Sequence, residues 1–248
     1  MLFIVFIFGL VIGSFLNVCI YRIPAGLSTA FPASHCTGCK HPLKPYELIP
    51  VLGYIINRGR CRYCGIGISV QYPLIELLNG IIYLLLYLKY GMTSQFIMYA
   101  LLMSILIVVS LIDLKTQEIP DSIMLFGLLS GSLFIIFYHN LTSLINGLSG
   151  LLIGGALFLF IAIASKGAMG GGDIKLMAVL GLFLGWQSIL LLTLLSFIIG
   201  SVISLILMAV KAKKRKDYIP FGPFIALAFP VVVFYGENMI NWYLTFLR

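Results

Sequence analysis

Four of the five cysteines stand in two pairs, Cys36-x2-Cys39 and Cys61-x2-Cys64, with 21 residues between them. Two such knuckles can deliver four thiolates to one tetrahedral zinc ion, a site that is closed by its own ligands and leaves no position for a reacting water. Two disulfides are the competing use of the same residues, and they require an oxidising compartment. His35 and His41 flank the first knuckle and read as polar loop residues, because four thiolates already complete a structural site. Cys19 lies within an apolar run and reads as a small packing residue.

The second group of reactive residues is acidic. Only eight residues are Asp or Glu, and carboxylates in or near a membrane are expensive enough that each needs a reason. Asp113 closes an apolar run in VVSLIDLKTQEIPD, Asp121 opens the next run after Pro120, Asp173 sits in AMGGGDIKL, and Glu76 lies in QYPLIELLNG. Two carboxylates brought to one place titrate as a pair with one held protonated. One can then take a proton from water while the other donates to a scissile carbonyl. Asp113 and Asp173 fit that outline if the fold joins them. Gly170, Gly171 and Gly172 before Asp173 let backbone approach an extended substrate closely. The same residues also fit a plainer account, with Asp121 and Asp173 as helix N-caps, Asp113 as an interfacial residue marking the end of a span, and interfacial ion pairs to Lys115 or Lys175 among the acids. Spacing alone leaves both readings open.

The elements that must position these groups follow from composition. Of 248 residues, 61% are hydrophobic and 10% charged, and the mean hydropathy is +1.10, whereas soluble domains carry about 25% charged residues. This predicts an all-α polytopic membrane protein with about eight transmembrane helices, at roughly 1–20, 74–90, 95–112, 121–138, 144–165, 176–186, 188–210 and 219–246. With the N-terminus outside, fourteen of the sixteen Lys and Arg fall on the inner side, including Lys211, Lys213, Lys214, Arg215 and Lys216, and only Lys89 and Arg248 fall outside. Basic residues resist translocation, so the net charge of +8 reads as topological anchoring and not as a nucleic-acid surface. Both termini then face outward, and Asp113 and Asp173 lie at the cytoplasmic ends of their helices.

The chain divides into a first transmembrane helix (1–20), a cytoplasmic four-cysteine zinc subdomain (21–73) and a seven-helix membrane domain (74–248). The middle segment is punctuated by proline and glycine and has little apolar core, so zinc would fold it and take no direct part in bond cleavage. Its cytosolic placement disfavours the disulfide reading.

Taken in order, GSFLNVCIYRIP at 13–24, the two CxxC pairs, LIPVLGY at 48–54, ISVQYPLIE at 68–76, IDLKTQEIPD at 112–121, GGGDIKL at 170–176 and IPFGPFIAL at 219–227 resemble the type IV prepilin peptidase family. These are bacterial membrane aspartic proteases of the GxGD type. The resemblance covers nearly the whole chain. It implies that Asp113 and Asp173 are the catalytic dyad, that Gly170 and Gly172 are the glycines of GxGD, and that Asp121 remains a helix cap. It further implies cleavage of prepilin or pseudopilin precursors after a glycine that ends a short basic leader, at the cytoplasmic face of the bacterial cytoplasmic membrane. Inner-side Glu47, Glu76 or Glu118 are candidates to attract that leader. Members with the four-cysteine loop are associated with methylation of the new N-terminus by S-adenosylmethionine. No glycine-rich nucleotide fingerprint marks a site for it here.

Two other classes weigh against this reading. An ion-coupled transporter would hold the aspartates at the bilayer midplane in discontinuous helices related by an internal repeat, and the sequence shows no repeat. A redox or iron centre on a membrane anchor would absorb visible light, unlike zinc–thiolate.

Overall fold

The computed structural model describes residues 1–138, 141–166, 169–211 and 218–246. The basic residues Lys213, Lys214, Arg215, Lys216 and Arg248 lie outside them. The described residues hold eight α-helices and, in place of strands, two isolated bridges, His35 with Pro42 and Arg60 with Gly67. The helices are α1 (Leu2–Arg22), α2 (Leu52–Ile56), α3 (Gln71–Tyr90), α4 (Ser94–Thr116), α5 (Asp121–Tyr138), α6 (Leu141–Ala164), α7 (Gly171–Ala209) and α8 (Gly222–Phe246). Six of them are long and apolar enough to cross a membrane, and Asp121–Phe137 is a shorter apolar helix. The all-helical, membrane-spanning class expected from composition is the one observed.

The chain forms two compact units, Met1–Val108 and Val109–Arg248. In the first, α1 and α3 run antiparallel at backbone contact. A Cβ on Gly9 would stand 2.8 Å from Gly80 Cα, and one on Gly13 would stand 2.7 Å from Glu76 Cα. Small residues four apart are the usual means of bringing membrane helices this close. A buried polar chain then ties three helices together: Asn79 Nδ2 donates to Gly9 O at 2.7 Å, Ser104 Oγ donates to Asn79 Oδ1 at 3.2 Å, and Tyr83 Oη meets Ser104 Oγ at 3.0 Å. Lipid offers these groups no water, so each must find a partner inside the protein.

In the second unit α6 packs along α7, and α7 is not one straight rod. At Gly185 the backbone turns to φ 77°, ψ 174°, outside the helical region. A Cβ on Gly154 of α6 would stand 2.6 Å from Met177 O and 3.1 Å from Ile189 Cγ1, so those two atoms are at most about 6 Å apart. Twelve residues of straight helix would separate them by about 18 Å. The element therefore folds back on itself at Gly185, and its halves cross in opposite directions. Counted this way, α1, α3, α4, α5, α6, the two halves of α7, and α8 correspond to the eight expected spans. The first half of α7 starts at Gly171, five residues before the expected 176, so the glycine run joins the helix instead of preceding it.

Candidate active site

Asp113 lies in the last turn of α4 and Asp173 in the first turn of α7, and both are buried, at 3% and 4% exposure. They lie near enough for the charge of Asp113 to act on Asp173, and each is set at a helix N-terminus. The first-turn amides of a helix have no partner within it, and they favour negative charge nearby. Gly222, the first residue of α8, donates its N–H to Asp113 Oδ2 at 2.9 Å across 109 residues of sequence. Pro223, next in line, has no N–H to leave unpaired and suits a first helical turn. The approach needs a residue without a side chain, because a Cβ on Gly222 would stand 2.7 Å from Asp113 Oδ2. Phe221 holds this end of α8 in place by packing with Phe158 of α6, Phe197 of α7 and Phe224 of α8, with ring centroids 5.0 to 5.9 Å apart.

Asp173 is placed by the other N-terminus. Gly170 is extended (φ −70°, ψ 143°), and Gly171, Gly172 and Asp173 are already helical. The glycine run is therefore not an extended strand for pairing with substrate, as its composition suggests. Gly172 instead makes room for Ile119, whose Cβ lies 2.7 Å from where a Cβ on Gly172 would stand, so the connector after α4 packs on the start of α7. The Asp173 Oδ1 atom is buried without a hydrogen-bond partner in the protein. Its charge environment includes Asp113, and both carboxylates act on the Tyr218 phenol. Burial first, and then those two charges, push Tyr218 above the usual tyrosine range and keep it a neutral hydroxyl. Tyr218 and Gly222 are two site residues that motif reading did not single out.

Asp121 stands apart from this pair. It heads α5, and its Oδ1 accepts from Lys175 Nζ at 2.6 Å on an exposed surface, the interfacial ion pair considered from the sequence. Glu76 is buried and accepts from Val51 N at 2.7 Å.

The four cysteines of the first unit form a cluster whose sulfurs all lie within 4.8 Å of one another, with Cys36 Sγ and Cys64 Sγ 3.8 Å apart. A tetrahedral ion with metal–sulfur bonds of about 2.3 Å holds its sulfurs about 3.8 Å apart, so the residues fit a metal. The two knuckles are near copies. Cys36 N donates to His41 O and Cys61 N to Ile66 O, while Lys40 N donates to Cys36 O and Gly65 N to Cys61 O. Lys40 (φ 60°) and Gly65 (φ 72°) take the same left-handed turn. The Cys39 amide, bonded to the Cys36 sulfur, brings that thiol down to about 6 against the opposing effect of burial. His41 stacks on Tyr63 at 3.6 Å and His35 Nδ1 lies 3.1 Å from Ala33 O, so neither joins the cluster.

Comparison with known proteins matches residues 7–90 to the bacterial peptidase A24 N-terminal domain and residues 100–205 to the type IV leader peptidase family. Three similar proteins are each called prepilin leader peptidase/N-methyltransferase. That of Bacillus subtilis is 34% identical, with 98% of both chains covered. That of Legionella pneumophila is 33% identical, covering 98% of this chain and 94% of its own. That of Pseudomonas aeruginosa is 32% identical, covering 96% and 91%. No solved structure matches. With a relative more than 30% identical along almost its entire length, this chain belongs to the type IV leader peptidase family.

Proposed function

We propose that this chain is a membrane aspartic endopeptidase that removes the basic leader from prepilin or pseudopilin precursors, with Asp113 and Asp173 as its dyad. The observation that carries the reading is a pair of buried carboxylates within electrostatic reach of each other, one at the α8 amide Gly222 N and one in the first turn of α7. Two carboxylates at one site share a proton. The ionised member takes a proton from a water, whose oxygen attacks the scissile carbonyl as the other member donates its proton to the carbonyl oxygen. The tetrahedral species then collapses, the C–N bond breaks, and a proton passes to the leaving amine. Gly170 keeps this place open to a peptide. A Cβ there would stand 3.4 Å from Asp173 Oδ2 and 3.5 Å from Tyr218 Oη, between the carboxylate and the phenol. Family membership favours this reading over ion transport.

The test is cleavage of a prepilin-like precursor in detergent by wild type, Asp113→Asn, Asp173→Asn and the exposed Asp121→Asn. Asparagine keeps the shape but cannot cycle a proton. Loss of cleavage in the first two, with retention in the third, supports the assignment; normal cutting by either dyad variant removes that aspartate from the mechanism.

The four-cysteine segment, 21–73, is proposed as a subdomain folded by one structural zinc ion, supported by the sulfur spacing and the matched knuckles. S-adenosylmethionine, when bound, supplies the methyl group for the new N-terminal amine, a second activity supported by the double name of the relatives. The remaining helices, 74–248, carry the peptidase. The basic bias places both termini outside and the dyad at the cytoplasmic face.

A further inference from the structure

As water attacks a scissile amide, negative charge gathers on the carbonyl oxygen, and fixed donors aimed at that oxygen are commonly the largest single contribution to such a reaction. Of the donors around the two carboxylates, Gly222 N is already engaged by Asp113 Oδ2. The Tyr218 hydroxyl is free to act: among the described residues Oη makes no hydrogen bond. Burial and the two carboxylates hold this phenol above the usual tyrosine range, so it keeps its proton and remains a donor.

The space beside it has the right size. A Cβ on Gly170 would stand 3.4 Å from Asp173 Oδ2 and 3.5 Å from Tyr218 Oη, so the two oxygens lie at most about 7 Å apart. Two hydrogen bonds of about 2.7 Å end to end span about 5.5 Å, and the paired oxygens of a tetrahedral carbon reach somewhat further. The reacting carbon of a peptide can therefore sit between carboxylate and phenol with an oxygen in reach of each. Gly170 has an extended backbone (φ −70°, ψ 143°) that any residue adopts, so what glycine supplies here is room and not conformation. Tyr218 is 41% exposed and Asp173 4%, which sets the phenol on the solvent side of the carboxylate, where a peptide must enter.

The phenol is also held in place. Tyr218 begins the short connector that ends at Gly222, in which Pro220 is buried and Phe221 packs against Phe158 and Phe197. One connector thus sets both the amide that fixes Asp113 and the hydroxyl that faces Asp173. Donors placed in advance need no reorganisation at the moment of reaction.

We propose that Tyr218 is a third catalytic group of the peptidase, its hydroxyl donating a hydrogen bond to the scissile carbonyl oxygen as the tetrahedral species forms. The phenol keeps its proton throughout, and proton transfer stays with the two aspartates. The inference rests on the aspartic-peptidase reading and adds a residue to it.

The experiment measures kcat and KM for precursor cleavage by the full-length chain in detergent. It also measures inhibition by a precursor peptide with a hydrated ketone in place of the scissile amide, whose geminal hydroxyls copy the tetrahedral species. Tyr218→Phe keeps the ring and removes the donor. It should lower kcat about 10- to 100-fold with KM within about twofold, and weaken the hydrated ketone by the factor lost in kcat/KM. Gly170→Ala puts a methyl at ordinary contact distance from both oxygens, so the chain should fold while the gap is filled. Cleavage and inhibitor binding should both fall by about tenfold or more. The proposal is overturned if folded Tyr218→Phe retains the wild-type kcat, including the case in which only KM rises and the phenol serves ground-state binding. It is overturned if kcat falls while the hydrated ketone binds as before, since Tyr218 then acts only through the dyad, and if Gly170→Ala cleaves normally. Asp173→Asn separates the two levels of the argument. Normal cleavage by that variant removes the peptidase reading and this proposal with it, whereas its loss beside a fully active Tyr218→Phe removes Tyr218 alone.

Discussion

Replacing Gly222 by alanine tests the geometry of the carboxylate site without touching either carboxylate. The new methyl would stand 2.7 Å from Asp113 Oδ2, whereas ordinary contact begins near 3.4 Å, so the carboxylate must withdraw by about 0.7 Å. That movement stretches or breaks the 2.9 Å bond from Gly222 N, which fixes the Asp113 side chain. Reacting groups must be held to within about 0.5 Å, and a misplacement near 1 Å costs on the order of a hundredfold in rate. The expected result is a fall of about 10- to 100-fold in kcat for precursor cleavage, with KM little changed, because substrate binding does not depend on this contact. The stability cost of one extra methyl is about 1–3 kcal/mol, which thermal unfolding measures separately. A folded Gly222→Ala protein that cleaves at the wild-type rate would refute the claim that the α8 amide positions Asp113.

Two further outcomes follow from the same reasoning. Gly185→Ala places a side chain at φ 77°, ψ 174°, a region that only glycine enters readily, and sets its Cβ against Asn146. It should cost about 1–3 kcal/mol and lower the Tm of the chain, while the folded fraction still cleaves. Removing the metal by chelation, or substituting Cys61→Ser, should open the knuckles to proteolysis between residues 34 and 67 and leave the membrane helices spectroscopically intact. Zinc analysis of the untreated chain should give about one ion per chain. Unchanged protease resistance after complete metal loss would remove the metal from the folding of this segment.

Much of this architecture was legible because its signals are local. The two CxxC pairs predict a four-sulfur cluster by spacing, and the cluster is there. That the two knuckles are structural copies was hidden, since the left-handed turn occupied by Gly65 in one is occupied by Lys40 in the other, and lysine gives no hint of positive φ. Asp113 and Asp173 stood out as polar residues in apolar runs. Their nearness depends on where the α7 and α8 N-termini lie in the fold, which no window of sequence contains. Gly222 was quoted as part of IPFGPFIAL without a role, because a backbone amide leaves no side-chain signature of the bond it makes. The glycines before Asp173 were read as backbone open to an extended substrate, because glycine has no side chain to hold it away. Gly171 and Gly172 are instead helical, and Ile119 packs where a side chain on Gly172 would stand. Glu76 was read as an inner-side acid one turn into a span, and its burial against α1 and its bond from the Val51 amide left no mark in the sequence.

The central claim is that Asp113 and Asp173 act as one unit. The most direct measurement is single-turnover cleavage of a precursor by Asp113→Asn, Asp173→Asn and the double variant, each verified as folded. Groups that share one catalytic step are strongly non-additive when removed. The account predicts that either single substitution drops cleavage to the same floor and that the double variant falls no further. Losses that multiply in the double variant, or a single variant that retains substantial cleavage, would contradict it.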